Sequence, residues 1–402
     1  MKKILYIVTG LPSMTLTFVD REIRILAAAG YDIRTISRGS PNKGEVSEEE
    51  ILYYKNTLYL DQASIFKLLL SQLHVLVCSP LIWFNILRLI FDEKEVRNRK
   101  DRLRLLKHFI AAGYVYTRIK NVGISHIHAH FLDGPASIAL FLSRYLNIPY
   151  SFTMHASAIF MDPLMLGTKL CFCKKAVTIS EYNRKYLLKK YGENLSDKIH
   201  IIHCGINPES FTPLHVKKSG RPVVLAVGRL VAMKGFHYLL DACRLLKDKG
   251  VLFTCLIIGD GEEKETLLSK TAALGIEDVV TFLGAQKKER VKQFLQEASI
   301  FVLPSIITEE GTRDGIPVSL MEAMAMELPV ISTRLVGIPE LIEDKKEGLL
   351  VEQKNPVELA LAIEILLKDA NARENMGKQA RMKVIREFNM HHVPEKFHAV
   401  FN

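Results

Sequence analysis

The sequence predicts an α/β protein built as two doubly wound parallel sheets. Three observations carry that expectation. Strand and helix signals alternate along the chain, the alternation falls into two series, and a turn-rich stretch, CGINPESFTPLHVKKSGRP (204–222), separates them. At 402 residues the chain exceeds one ordinary core, and two domains of roughly 150–200 residues fit it.

The first series opens with MKKILYIVTG. Its apolar run is too short for a signal peptide, and polar, helical residues follow. It reads as a first strand ending at the Gly-Leu-Pro turn of 10–12. FVDREIRILAAAG is an amphipathic helix, and DIRTISRG, HIHAHF, YSFTMHA, KAVTIS and KIHIIHCG read as further buried strands.

Between them, Leu68 to Leu87 carries no Asp, Glu, Lys or Arg, which is about the length that spans a bilayer. Pro80 interrupts it, and Ser71, Gln72, His74, Ser79 and Asn85 add polarity. Two apolar helices broken near Ser79-Pro80 fit better than one span. The next block, EKEVRNRKDRLRLLKHF (93–109), holds Arg97, Arg99, Arg102 and Arg104 and an apolar stripe at Val96, Leu103, Leu106 and Ile110. It is either a solvated helix face or a peripheral attachment to anionic lipid.

The second series comprises VVLAVGR, FTCLIIGD, VVTFLGA, IFVLPS, LPVISTR and GLLVE, with helices such as KGFHYLLDACRLLKDKG between. FNMHHVPEKFHAVF (388–401) reads as a terminal helix. The expected domains are 1–207 with a terminal helix 387–402, and 208–386. Ligands of open α/β sheets sit at the C-terminal ends of strands, so two such halves are expected to face a cleft.

Hydrophobic residues make up 48% of the chain and charged residues 24%, as in soluble globular proteins. A net charge of +10 and a pI of about 9.1 suit an anionic partner: a nucleotide, a phosphate or an anionic membrane surface. The six cysteines form no C-x-x-C pair and read as reduced thiols of a cytoplasmic protein. GDGEEKE (259–265) has only two glycines of a dinucleotide fingerprint. A P-loop, a nucleophile elbow and H-E-x-x-H are absent from the sequence.

Two stretches carry chemistry. In VGRLVAMKGF (227–236) a strand ends at Gly228, Arg229 and Lys234 flank a short loop, and Gly235 opens a helix. Two cations beside a helix start suit a diphosphate. In EEGTRDGIPVSLMEAMAMELPVIST (309–333) Asp314 sits in a Gly/Pro-containing turn, and Glu322 lies eight positions on, in an apolar helix.

GRLVAMKG, IIGDGEE, TFLGA, FVLPS, DGIPVSLMEAMAMELPVIST and GIPELI occur in the order and spacing of retaining glycosyltransferases of family 4. In the first half PSMTLTFVDREI, HIHAHFLDGPASIAL, SFTMHASAIF, TISEYNR and IIHCGINPESF resemble bacterial exopolysaccharide and colanic-acid-type members more loosely. The resemblance is strongest in the second half and weakest over 55–120. It implies the glycosyltransferase-B fold, two Rossmann-like domains around a cleft.

By that resemblance, Glu322 accepts both ribose hydroxyls of a sugar nucleotide. Asp314, one methylene shorter than the family's usual Glu, contacts the donor sugar, and the Gly315 and Ile316 N–H groups point at sugar or phosphate. Arg229 and Lys234 match the diphosphate clamp. No D-x-D occurs, so protein cations rather than a carboxylate-held metal are expected to neutralise the leaving group. Leu283, Gly284 and Ala285 flank the base, with UDP or GDP placed ahead of ADP. Gly10 approaches the phosphates. His155 matches the cleft histidine of F-T-x-H, while Ala158 replaces an Asp that the family often carries, with Asp162 as a candidate substitute. His130 is either cleft-lining or core, and Ser180 and Glu181 are candidates to line the cleft or simply start a helix.

The implied reaction is transfer of a sugar, with retention, from a nucleoside-diphosphate sugar to a glycan or lipid-linked acceptor. The implied setting is bacterial exopolysaccharide, capsule or lipopolysaccharide synthesis, in the cytoplasm or on the inner face of its membrane through residues 65–110. No cofactor or nucleic-acid partner is expected. The alternatives are a sugar-nucleotide epimerase, a phosphorylase on the same fold, and a non-catalytic nucleotide-sugar-binding subunit.

Overall fold

The computed structural model describes residues 2–13, 17–41, 48–96, 98–161, 163–214 and 220–402. Arg97 and Asp162, both singled out above, lie outside them. The chain forms two compact units. One comprises Met1–Ile179, Asn183–Ile202 and His391–Asn402; the other comprises Ser180–Tyr182 and His203–Met390.

The first unit holds a seven-stranded sheet in the order β3-β2-β1-β4-β5-β6-β7, with every neighbouring pair parallel. Its strands are β1 (Lys3–Gly10), β2 (Asp32–Gly39), β3 (Leu58–Tyr59), β4 (His126–His130), β5 (Tyr150–Met154), β6 (Lys175–Thr178) and β7 (Ile199–Ile201). The two-residue β3 is absent from the sequence reading because so short an edge strand leaves no periodicity. Among the helices between them are α1 (Thr17–Ala28), α2 (Glu48–Tyr53), α3 (Ile65–Cys78), α4 (Pro80–Asp92) and α5 (Arg99–Ile119). Next come α6 (Pro135–Leu146), α7 (Ala156–Phe160), α8 (Leu166–Phe172) and α9 (Glu181–Tyr191).

β4 shows how a strand buried on both sides divides its side chains. Ile127 and Ala129 join the apolar core. His126, His128 and His130, also buried, alternate with them. His126 and His128 hydrogen-bond Ser151 of β5, and His128 also reaches Thr153. Phe397 and Phe401 of the terminal helix pack on His126 and His128.

The break at Ser79-Pro80 is where the sequence places it: α3 and α4 are bent by 115°. No single helix among the described residues is long and apolar enough to cross a membrane. The basic block differs from its expected form. Asn98 accepts the Asp101 N–H at 2.8 Å, so α5 begins at Arg99 and Val96 precedes it, buried. Leu106 and Ile110 pack against the core, which leaves Leu103 as the exposed member of the proposed stripe.

The second unit holds a six-stranded sheet in the order β10-β9-β8-β11-β12-β13, again with every neighbouring pair parallel. Its strands are β8 (Val223–Val227), β9 (Thr254–Ile258), β10 (Val280–Phe282), β11 (Ile300–Leu303), β12 (Val330–Thr333) and β13 (Gly348–Val351). The helices α10 (Phe236–Asp248), α11 (Lys264–Leu274), α12 (Lys288–Glu297), α13 (Val318–Ala325) and α14 (Ile338–Leu341) follow successive strands. α15 (Pro356–Lys368) and α16 (Ala370–Glu387) complete this unit, and α17 (Val393–Phe401) belongs to the first.

In each sheet the strand order reverses beside the first strand. In the first unit this lies between β1 and β4, and in the second between β8 and β11. Crossovers there leave to opposite faces, so the loops part and open a crevice at the C-terminal strand ends.

Candidate functional site

In the second unit the predicted residues collect around that reversal. β8 ends at Val227, and Arg229, exposed, follows Gly228. A 3-10 turn, Ala232–Lys234, brings Lys234 back so that its stem packs over Gly228. Gly235 then starts α10 at φ +69°, and a Cβ there would fall on the Pro304 carbonyl. The Ile306 N–H donates to the Met233 carbonyl at 2.9 Å, tying the loop after β11 to the loop after β8.

That tie sets the main contact. Lys234 Nζ lies 3.0 Å from each Asp314 carboxylate oxygen, and each side chain is 13% exposed. Ser305 Oγ donates to Asp314 Oδ2 at 2.7 Å, and Thr333 Oγ1 donates to the Ser305 carbonyl at 2.6 Å. The carboxylate is thereby fixed by buried Ser305 of the loop after β11, itself held by Thr333 of β12. Among the described residues no carboxylate pairs with Arg229. At the turn this leaves two cations against one acid, a local excess suited to an anion.

Gly315 and Ile316 lead into α13. Among the described residues their N–H groups have no hydrogen-bond acceptor, whereas the Ile316 side chain is buried in the core. Glu322 is half-buried on α13 between the buried Met321 and Ala323. Leu283, Gly284 and Ala285 follow β10. The Gly259 N–H donates to the Gly284 carbonyl at 3.0 Å and the Gly228 N–H to the Ile258 carbonyl at 3.0 Å. These bonds align the ends of β8, β9 and β10 in one row.

Ser180 and Glu181 are placed with this unit. Ser180 is fully buried, beside Gly337 and close to Ile316. The N–H groups of Glu181 and Tyr182 donate to the Glu340 carboxylate at 2.9 and 3.0 Å. His203 stands 3.4 Å from the same carboxylate. The N–H groups and the His203 contact outweigh burial and hold Glu340 below the usual glutamate range.

In the first unit the residues gather at the ends of β1, β4 and β5. Gly10 closes β1, with open space where a Cβ would stand. His155 follows β5, its ring against Phe18, Phe131 and His130 at centroid distances of 4.8, 4.9 and 5.6 Å. His155 Nε2 is 3.3 Å from His130 Nδ1, and His130 Nε2 is 2.8 Å from Glu22 Oε1. Tyr6 donates its hydroxyl to the same oxygen at 2.8 Å.

The carboxylate only accepts, so a neutral His130 donates from Nε2 and receives at Nδ1. His155 then donates from Nε2 and keeps a lone pair on Nδ1. Burial, followed by the neighbouring His130, pushes the His155 pKa down to about 3, so the ring is neutral at pH 7. Glu22, His128 and His130 bring potential metal-ligand atoms together. Those of His128 are already engaged by Ser151 and Thr153, and His130 and Glu22 bond each other.

Sequence reasoning missed Glu22, Ser305 and Glu340. Ser305 and Glu340 lie inside the quoted stretches FVLPS and GIPELI, which marked the segment but not the residue. Glu22 reads from sequence as one more acid on an amphipathic helix, and only the fold brings it to His130. One surface concavity lies elsewhere. It is lined by Arg221, Val223, Ser299 and Pro329 at the opposite, N-terminal strand ends and holds none of the predicted site residues.

Two parallel-sheet α/β units with their polar residues at the strand reversals define a glycosyltransferase-B architecture. The comparisons agree. "Glycosyltransferase Family 4" matches residues 17–210, and "Glycosyl transferases group 1" matches residues 209–383. The chain belongs to the glycosyltransferases that carry these two domains in succession.

It is 39% identical over 195 residues to the putative colanic acid biosynthesis glycosyltransferase WcaL of Salmonella typhimurium, covering 48% of each chain. It is 39% identical over 200 residues to the amylovoran biosynthesis glycosyltransferase AmsK of Erwinia amylovora, covering 49% of this chain and 48% of that one. The matched region thus spans about half the length of these curated relatives. Among solved structures, sucrose-phosphate synthase of Thermosynechococcus elongatus superposes with a TM-score of 0.75 at 19% identity, covering 100% of this chain and 98% of the other. Anabaena Alr3699/HepE, solved in complex with UDP, gives 0.71 at 14% identity, covering 99% of both. At these identities the likeness concerns the fold.

Proposed function

We propose that the protein transfers a glycosyl group, with retention, from a nucleoside-diphosphate sugar to a glycan or lipid-linked glycan acceptor in bacterial exopolysaccharide, capsule or lipopolysaccharide synthesis. The observation that carries the reading is the Lys234–Asp314 pair beside Arg229 at the β8–β11 reversal. The names of WcaL and AmsK support the setting, and the UDP bound to HepE supports a nucleotide donor.

On this reading residues 208–386 form the donor domain. Arg229 and Lys234 neutralise the diphosphate as the glycosidic bond breaks, which lowers the barrier where charge develops. Glu322 accepts the ribose hydroxyls, Leu283–Ala285 flank a uracil or guanine, and Gly315 and Ile316 offer N–H groups to sugar or phosphate. Asp314 orients the sugar once a phosphate takes its place beside Lys234. Residues 1–207 with the terminal helix 387–402 supply the acceptor side. There Gly10 leaves room for a phosphate, and His155 offers its neutral Nδ1 to a sugar or acceptor hydroxyl. Retention follows a same-face route in which the departing phosphate oxygen takes the acceptor proton. Protein groups then contribute placement and charge rather than a covalent bond.

The test is release of nucleoside diphosphate from UDP- and GDP-sugars with bacterial lipid extract as acceptor, followed by the anomeric configuration of the product by NMR. The donor's own configuration in the product is the expected result. An inverted product contradicts retention, and binding without any release supports a non-catalytic subunit.

A further inference from the structure

We propose that α3 and α4 form a bilayer-docking surface, lying in the membrane plane rather than crossing it. Each helix has two faces. Inward, Val75, Ile86 and Ile90 join the core of the first unit. Gln72 staples the pair to α5 by donating to the Ile110 carbonyl at 3.1 Å and accepting from Trp83 Nε1 at 3.1 Å.

Outward, the face is apolar where a water-facing helix would be charged. Phe66, Leu69, Leu73 and Val77 form one stripe on α3, at 69%, 60%, 58% and 74% exposure. Leu81 and Phe84 continue it on α4 at 80% and 60%. Monomers in water rarely expose so continuous a patch.

Length argues against a span. The helices have 14 and 13 residues, or about 20 Å each, against a hydrocarbon core of about 30 Å. Their 115° bend prevents the two lengths from adding.

Charge selects the occupant. Lys67 sits within the exposed turn of α3 with no acid beside it, whereas Arg88, on the stripe of α4 between Phe84 and Phe91, is balanced by Asp92. Nearby acids are engaged internally. Asp92 pairs with Arg88, Asp101 with Arg104, Glu93 accepts from Thr168, and Glu95 accepts the Gly167 N–H. Among the described residues Lys67, Lys94, Arg99 and Lys100 have no acid partner. An apolar face that carries the unpaired Lys67, with the unpaired Lys94, Arg99 and Lys100 following α4 along the chain, matches an anionic lipid surface, where long basic side chains reach the headgroups. The surface differs from the apolar stripe of 93–109 that the sequence suggested, since most of that stripe packs inward.

The experiment is flotation of the full chain with phosphatidylcholine vesicles, with and without phosphatidylglycerol, together with quenching of Trp83, the sole tryptophan, by brominated phosphatidylcholine. The wild type is expected to float with both vesicles, more with phosphatidylglycerol, and Trp83 to be quenched. Leu69→Ser/Leu73→Ser/Phe84→Ser should lower the bound fraction at least ten-fold on both, with an unchanged melting temperature. Lys67→Glu/Lys94→Glu/Arg99→Glu/Lys100→Glu should abolish only the phosphatidylglycerol preference. Quenching in the unaltered chain decides the matter should the triple variant fail to fold. A wild type that does not float, or a triple variant that floats as well as wild type, overturns the proposal. So does a wild-type dimer that ignores vesicles and is lost in the triple variant. The proposal stands apart from the donor site, because Arg229→Ala should lose nucleotide affinity yet still float.

Discussion

Lys234 and Asp314 lie 80 positions apart in the chain, yet the ammonium sits 3.0 Å from both carboxylate oxygens. The pair is nearly buried and is held from behind by Ser305. Its geometry leaves the cation occupied by an internal anion until a stronger one arrives. A diphosphate, with more charge and more acceptors, is such an anion.

Asp314→Asn should therefore separate binding from turnover. Removing the internal competitor leaves nucleoside-diphosphate affinity unchanged or raises it several-fold. Loss of the carboxylate at the sugar lowers turnover by about a hundred-fold, the scale of one well-placed group. Calorimetry and steady-state release measured on one preparation check both halves. An equal fall in both would make Asp314 a mere brace for Lys234.

Arg229→Ala should weaken nucleoside-diphosphate binding by about ten- to a hundred-fold, the equivalent of one charge-assisted hydrogen bond of about 1.5–3 kcal/mol. Arg229 is exposed and pairs with no carboxylate among the described residues, so stability should hardly change. Affinity of the wild type should fall as salt rises, and less steeply in the variant.

Glu22→Gln tests the chain from Glu22 through His130 to His155. Glu22 would act as a positioning residue, since it reaches His155 only through His130. The amide can present a donor where the carboxylate only accepts, which lets the His130 tautomer reverse and removes the donor–acceptor order at His155. Turnover should drop about ten-fold or more, while nucleotide affinity, which the proposed function assigns to the second unit, stays level. Glu22→Asp should recover part of the rate. A purely structural role would instead lower the melting temperature and leave the rate per folded molecule intact.

Acid should destabilise the first unit well above the carboxylate range. Burial pushes His126 down to about 3, with Lys174 and Lys2 adding to the effect, and burial pushes His108 down to about 4. The unfolded chain binds the proton near pH 6.5 and the folded one does not. The stability these groups contribute is thus complete above about pH 6.5 and is lost as pH falls toward their folded values. For His126, buried with Nδ1 unpartnered, the loss by pH 5 is about 2 kcal/mol. Urea midpoints between pH 7.5 and 5 measure it, and His126→Asn should flatten the curve.

Much of this architecture was legible in the chain. Buried parallel strands are nearly continuous apolar runs, which is why IVTG, VLAVG and IFVLP announce themselves, and Ser79-Pro80 marks a helix break on local grounds alone. The alternation HIHAH was visible but not its facing. Whether histidine or alanine meets the apolar core depends on α17, more than two hundred residues later, whose phenylalanines cover the histidines. The start of α5 turned on the Asn98 cap, a single hydrogen bond that a charged, loosely periodic block does not reveal. At the site, the motifs located Lys234 and Asp314 separately. Their pairing follows from β8 lying beside β11, which is a property of the crossover and not of either segment.

The most direct test of the donor site is calorimetric titration of UDP and GDP, with chelator present, into the wild type and Glu322→Ala. One preferred nucleotide is expected, bound without added metal, with affinity at least ten-fold weaker in the variant and an unchanged melting temperature. Equal binding by wild type and variant would contradict the assignment of the ribose to α13, and binding that appears only with added divalent metal would contradict neutralisation by Arg229 and Lys234 alone.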